Sequence, residues 1–230
     1  MPFETPDVRG MFEQLVPHYD RFNFLSSLGL DRRWRKTLVS MIPDGASVLD
    51  VGTGTGDMAL ASLEKAREVT GVDFSESMIQ AALKKAAGKT AVRFQVGEAN
   101  HLQFQEGSFD AVMSSFVLRN LYRLNLLKSS FEESLRVLKN GGRFFSLELT
   151  RPVNRWLRWG HHAYLKTALP LIGKSLFGKK WPGAYLESSI QEFPSPDQVM
   201  QMLSNAGFTK VTFQPLSLGI AGIFCAVKPS

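Results

Sequence analysis

The chain has one cysteine, Cys225, in 230 residues. It therefore has no internal disulfide and no thiolate cluster for zinc, and nothing in it points to an oxidising compartment. No uninterrupted apolar stretch approaches the ~20 residues needed to cross a bilayer. The N-terminus, MPFETPDVRG, lacks the charged start and apolar run of a signal peptide. These absences predict a cytoplasmic protein that is neither exported nor membrane-spanning. Repeats and low-complexity tracts are missing too, which excludes solenoid and disordered classes. Acidic residues are absent from Arg151 to Leu186, where seven lysines and arginines stand. The net charge is +6, so this segment holds the whole excess and leaves the rest at −1.

What remains is the composition of a globular domain, 44% hydrophobic, with a core large enough to fold without a disulfide or structural metal. In the middle third, β-branched runs alternate with helical patterns: SVLDV from Ser47, EVTGVD from Glu68, VRFQV from Val92, FDAVMSS from Phe109 and GRFFSLEL from Gly142. This alternation predicts a parallel, doubly wound α/β sheet with helices on both faces. Ser75 reads as the N-cap of a helix carrying Met78, Ile79, Ala82 and Leu83 at helical spacing. A second helix is expected from Leu124 to Leu138, closed by Lys139-Asn140-Gly141-Gly142. A third spans Pro196 to Asn205, and strands near Val211 and Ile220 bring the sheet to seven. Val8 to Met41 reads as helical with a break near Ser26 to Gly29. One domain is expected, divided into N-terminal helices (1–44), a core (45–150), a basic helical insert (151–195) and a C-terminal helix with two strands (196–230).

The sharpest motif is Asp50-Val51-Gly52-Thr53-Gly54-Thr55-Gly56-Asp57, which leaves a strand and opens a helix. Glycines there allow a tight turn and let backbone N–H groups approach a ligand. A dinucleotide site has the longer spacing G-x-G-x-x-G, and Asp50 would repel a pyrophosphate. It would attract an amino group, such as that of S-adenosylmethionine, which carries no phosphate. Asp73, 23 residues after Asp50, ends the second strand where an acid accepts hydrogen bonds from ribose hydroxyls. Gly97-Glu98-Ala99-Asn100 ends the third, placed to reach an adenine. The simpler alternative, a bare strand-to-helix turn with Asp50 as a capping acid, leaves Asp73 and Glu98 unexplained.

These residues, with Met11-Phe12, Tyr19-Asp20, Asn23, Gly29, Trp34-Arg35, SFVLRN from Ser115, RVLKNGGR, LELTRP, Tyr185-Leu186, Ser189-Ile190, Phe193-Pro194, AGFTKV and LSLGIA, span nearly the whole chain. It resembles the UbiE/MenG/Coq5 family of C-methyltransferases, which act on the quinol ring in ubiquinone and menaquinone synthesis. The resemblance implies a Rossmann-like class I methyltransferase fold and S-adenosylmethionine as cofactor, with no metal. Its cofactor-binding positions fall on Thr55, Asp73, Glu98 with Ala99, and Ser115; Asp50, Gly52, Gly54, Gly56 and Phe74 complete the expected set. Two positions depart from the family's pattern: Val117 stands where glycine is usual, which predicts a narrower acceptor pocket, and Phe224 where histidine is common.

Methyl transfer to carbon needs an electron-rich ring, held at near-attack distance with water excluded. A quinol meets that need best when one hydroxyl is deprotonated or strongly hydrogen-bonded. Arg119 and Asn120, after the fourth strand, are the candidates for stabilising a phenolate and orienting the hydroxyl. Tyr19 is a candidate lid residue whose ring face attracts a sulfonium. The plainer roles are an ion-paired cap on the sheet for Arg119 and core packing for Tyr19. His161 and His162 are adjacent and cannot share one helix face as ligands; His18 and His101 have no acid cluster at metal spacing.

In the insert, a helix over 153–169 places Val153, Trp156, Leu157, Gly160, Tyr164 and Ala168 on one side and Arg155, Arg158, His162 and Lys166 on the other, with Pro170 ending it. With Trp159 and Trp181, this basic, aromatic segment (151–182) suits peripheral contact with an anionic membrane holding a prenylated quinol. RNA is the competing partner for such a patch, but the chain has no separate nucleic-acid module. Another aromatic acceptor, a cofactor-binding protein without catalysis, and a homodimer also stay open at this level.

Overall fold

The computed structural model describes residues 8–152 and 154–230. The five expected runs form β1 (Ser47–Val51), β2 (Glu68–Asp73), β3 (Val92–Val96), β4 (Phe109–Ser115) and β5 (Leu138–Leu149), followed by β6 (Thr209–Leu216) and β7 (Ala221–Val227). They make one seven-stranded sheet in the order β3-β2-β1-β4-β5-β7-β6. The pairs from β3 through β5 are parallel, and β7 runs antiparallel to both β5 and β6. Strand order reverses between β1 and β4. This is where open α/β sheets leave a crevice beyond the strand ends.

Side chains alternate across the sheet with period two. Leu49, Val112, Phe144 and Phe224 enter one core layer, and Val48, Ala111, Met113, Phe145 and Ile223 the other. Each large side chain so enclosed contributes about 1.5–3 kcal/mol relative to leaving it exposed. Phe224 is fully buried, its ring 4.8 Å from that of Phe213.

The helices are α1 (Val8–Leu15), α2 (Tyr19–Ser26), α3 (Leu30–Met41), α4 (Asp57–Ser62), α5 (Glu76–Lys85), α6 (Leu118–Arg123), α7 (Leu127–Val137), α8 (Arg155–Lys166), α9 (Ala168–Phe177), α10 (Gly183–Glu192) and α11 (Pro196–Asn205). Ser75 caps α5 by accepting from the Met78 N–H. Ser195 and Gln198 form a reciprocal capping box on α11.

Three elements differ from expectation. The helix expected from Leu124 starts at Leu127. It yields to strand at Leu138, which pairs with Phe109; Gly141, at φ 73°, serves a bulge in β5 instead of a helix cap. The insert is helical almost throughout, and its first helix breaks at Thr167. Pro170 does not end it but sits in the first turn of α9, where a missing N–H leaves no hydrogen bond unmade. Val153 lies outside the described residues.

The insert packs on the N-terminal helices and forms a third apolar cluster with them. Leu15 and Phe22 meet Leu165, Leu169, Phe177 and Ile190 there. Trp181, expected on the surface, stacks on Phe177 at an interplanar angle of 8° and packs 5.1 Å from Phe22. It fits because Gly173 and Gly183 flank it; a Cβ on either would lie within 2.4 Å of the indole.

Candidate active site

The turn after β1 owes its shape to glycine. Gly52, Gly54 and Gly56 all have positive φ, where other residues are strained. At Gly52 contact adds a second constraint, since a Cβ would come within 2.4 Å of Val117 Cγ2. This turn, the ends of β2 and β3, and the segment after β4 line a cleft with Gly52, Gly54, Asp73, Phe74, Gly97, Glu98, Ala99 and Val117. Phe12 and Tyr19 close it from the N-terminal side.

Asp73 is the cleft's central polar group. Its Oδ2 accepts from the Gly54 N–H at 2.8 Å and its Oδ1 from the Ser75 N–H at 3.0 Å. Burial nonetheless raises its pKa, and the neighbouring Glu98 raises it further. Two backbone donors do not replace the water the carboxylate has lost, so it retains acceptor capacity for hydroxyl donors. Among the described residues, Asp73 and Glu98 are the only charged side chains lining the cleft, with no lysine, arginine or histidine. An acidic cleft repels a pyrophosphate and suits a ligand with hydroxyls and positive charge.

Of the residues expected to bind cofactor, Gly52, Gly54, Asp73, Phe74, Glu98 and Ala99 converge on this cleft, and Asp50, Thr55, Gly56 and Ser115 do not line it. Asp50 lies beneath the loop, fully buried. Its Oδ2 accepts from Thr53 Oγ1 at 2.8 Å, and its Oδ1 has no hydrogen-bond partner among the described residues. Burial pushes its pKa up to about 7. Thr55 turns outward to Asp20 and Lys85. Gly56 makes room for Phe94 and Ala82. Ser115 ends β4, paired in register with Leu147. Met78, Leu121, Leu124 and Leu126 complete the wall; as apolar residues they resembled ordinary core in the sequence.

A second, larger cavity of about 420 Å³ opens beside the cleft. The two share Phe12, Tyr19, Phe116 and Asn120. Phe116 holds φ 63°, an uncommon conformation for a bulky residue, at this junction. The larger cavity is lined by α1 and α2 on one side and by Trp156, Tyr164, Leu165, Trp181 and Leu186 of the insert on the other. Val117 lines the cleft and not this cavity.

Asn120 Oδ1 accepts from the Tyr185 hydroxyl at 3.0 Å, which leaves the amide N–H₂ as its donor group. Arg119 lines the large cavity, but its charge is already matched. Nε donates to the buried Glu148 at 2.6 Å and Nη1 to Ser189 at 3.0 Å. Tyr19 lines both cavities; burial raises its phenol pKa and Asn23 lowers it.

Comparison with known proteins agrees with this geometry. A model of the ubiE/COQ5 methyltransferase family matches residues 3–228. The chain belongs to that family. It is 38% identical over 225 residues to a demethylmenaquinone methyltransferase of Roseiflexus castenholzii, covering 96% of this chain and 93% of that one. It is 36% identical over 232 residues to the ubiquinone/menaquinone biosynthesis C-methyltransferase UbiE of Geobacter sulfurreducens, covering 96% and 88%. A solved SAM-dependent methyltransferase from Thermotoga maritima superposes with a TM-score of 0.67 at 21% identity, over 95% of this chain and 99% of that one. The chain is thus a SAM-dependent methyltransferase of class I fold, and the acidic, cation-free cleft fits that cofactor.

Proposed function

We propose that the protein methylates a ring carbon of a prenylated quinol, demethylmenaquinol or 2-methoxy-6-polyprenyl-1,4-benzoquinol, in quinone biosynthesis. The observation that carries this reading is the apolar cavity of about 420 Å³ meeting the cofactor cleft at Phe12, Tyr19, Phe116 and Asn120. Its size suits an aromatic head and the first part of a hydrocarbon tail. An RNA acceptor would need cations tracking phosphates, and among the described residues the charged groups in the lining are Asp31 and Arg119. Asp31 and Arg119 are ion-paired within the protein.

S-adenosylmethionine, when bound, supplies an electrophilic methyl group on a sulfonium. Asp73 would accept hydrogen bonds from the ribose hydroxyls, with Phe74, Glu98 and Ala99 beside the base. Asp50 supports the loop from beneath through Thr53, and Tyr19 offers an aromatic face beside the junction. Asn120, its carbonyl occupied by Tyr185, donates to a quinol oxygen and stabilises the phenolate. Arg119 ties β5, α6 and α10 around the acceptor through Glu148 and Ser189. The N-terminal helices and the insert act as a lid that excludes water.

The cavity mouth fits a substrate delivered from a bilayer. Leu28 and Trp156 belong to the lining yet are 80% and 78% exposed, and Trp159 and Leu171 are exposed nearby in the insert. Arg155, Arg158, Lys166 and Lys174 are also exposed there. This composition supports contact of α8 and α9 with an anionic membrane surface. The test of the acceptor is redox state: under anaerobic conditions the reduced quinol should accept the methyl and the oxidised quinone should not. Equal transfer to both would remove the phenolate from the mechanism.

A further inference from the structure

Thr55, Asp57, Lys85 and Asp20 form a cluster outside the cofactor cleft. Lys85 Nζ, in the last turn of α5, lies 2.6 Å from Asp57 Oδ1, donates to Thr55 Oγ1 at 2.9 Å and ion-pairs with Asp20 Oδ2. Thr55 Oγ1 in turn donates to Asp20 Oδ1 at 2.5 Å. Arg35 of α3 extends the cluster, 3.5 Å from Asp57 and 2.7 Å from Asp31. None of these residues lines the cleft.

The composition of the cluster indicates its use. Thr55, Asp57 and Lys85 come from the glycine turn and the helices flanking the sheet, whereas Asp20 belongs to α2. Asp20 follows Tyr19, whose ring lies over the turn, with Cε1 3.7 Å from where a Gly54 Cβ would stand. Fixing Asp20 therefore fixes the backbone that carries Tyr19 at the junction of the two cavities. Lys85, Asp20 and Asp57 side chains are 29%, 41% and 34% exposed, so the attachment is open to salt.

We propose that Asp20 and Lys85 are positioning residues for methyl transfer: their ion pair with the Thr55 hydroxyl holds Tyr19 over the glycine turn and closes the cofactor cleft from the lid side. This rests on the reading of Tyr19 as a group facing cofactor and acceptor. It gives Thr55, which the family resemblance placed on the cofactor, a task in the same site from outside the cleft.

The test reads binding of S-adenosylhomocysteine by calorimetry and needs no acceptor, so a failure to methylate a quinol bears on the proposed function and not on this measurement. Asp20→Asn keeps an acceptor for Thr55 but loses the charge; it should weaken binding about fivefold, the scale of a partly exposed pair. Lys85→Met should do the same and Lys85→Arg should restore affinity. Wild-type affinity should fall as salt rises from about 0.05 to 0.5 M, and that of Asp20→Asn should change little. In a Tyr19→Ala background, Asp20→Asn should add nothing further, because it acts through the missing ring. Additive losses in that cycle, or a lower melting temperature with unchanged affinity, would overturn the proposal.

Discussion

At the scale of single residues, the site is governed by carboxylates that folding has stripped of water. Asp73 keeps acceptor capacity after binding two backbone N–H groups. Hydrogen bonds to a charged group are worth about 1.5–3 kcal/mol, so Asp73→Ala should weaken cofactor binding roughly 10- to 100-fold by calorimetry while the protein stays folded. Asp50 has a different signature. Its carboxyl titrates near the ordinary 3.8 when unfolded and at about 7 when folded. Between those values the native state holds a proton that the unfolded state releases, so this contribution is complete below about pH 4 and is lost as pH rises through 7. Urea midpoints measured across that range should fall with pH in the wild type and fall less in Asp50→Asn; parallel curves would assign the dependence elsewhere.

At the scale of elements, much was legible because strands and caps write themselves locally. The β-branched runs recurring between helical patterns declared the sheet, whose strands send Leu49, Val112 and Phe144 to one face and Val48, Met113 and Phe145 to the other. The span Pro196 to Asn205 also read as a helix, and the structure caps it with Ser195 and Gln198. What was hidden is long-range. The large cavity exists because α2 meets the insert: Phe22 packs on Phe177 and Trp181, and Tyr164 donates to the Ser26 carbonyl at 2.5 Å. No local period encodes contacts between residues more than a hundred positions apart. For the same reason Trp181 looked like surface. Trp181→Ala should cost about 3 kcal/mol through lost packing, and should impair acceptor turnover more than cofactor binding, since Trp181 lines the large cavity alone. Equal loss of both would show that the insert also shapes the cleft.

At the scale of the whole molecule, an acidic cleft and an apolar cavity with a basic, aromatic mouth sit side by side, which matches a charged cofactor and a hydrocarbon-tailed acceptor. Among the described residues no helix is long and apolar enough to cross a membrane, and the proposed contact is one of α8 and α9 with its surface. Sedimentation with vesicles should show binding that requires anionic lipid, weakens with salt and falls several-fold in the Trp156→Ala, Trp159→Ala double variant. Binding that ignores lipid charge would detach the basic segment from that role. The central claim is ring methylation, and its most direct measurement is mass spectrometry after anaerobic incubation with methyl-labelled S-adenosylmethionine and reduced demethylmenaquinol or methoxy-polyprenyl-benzoquinol. The account predicts one labelled methyl on a ring carbon of at least one acceptor; label on oxygen, or no transfer to either by protein that binds the cofactor, would contradict it.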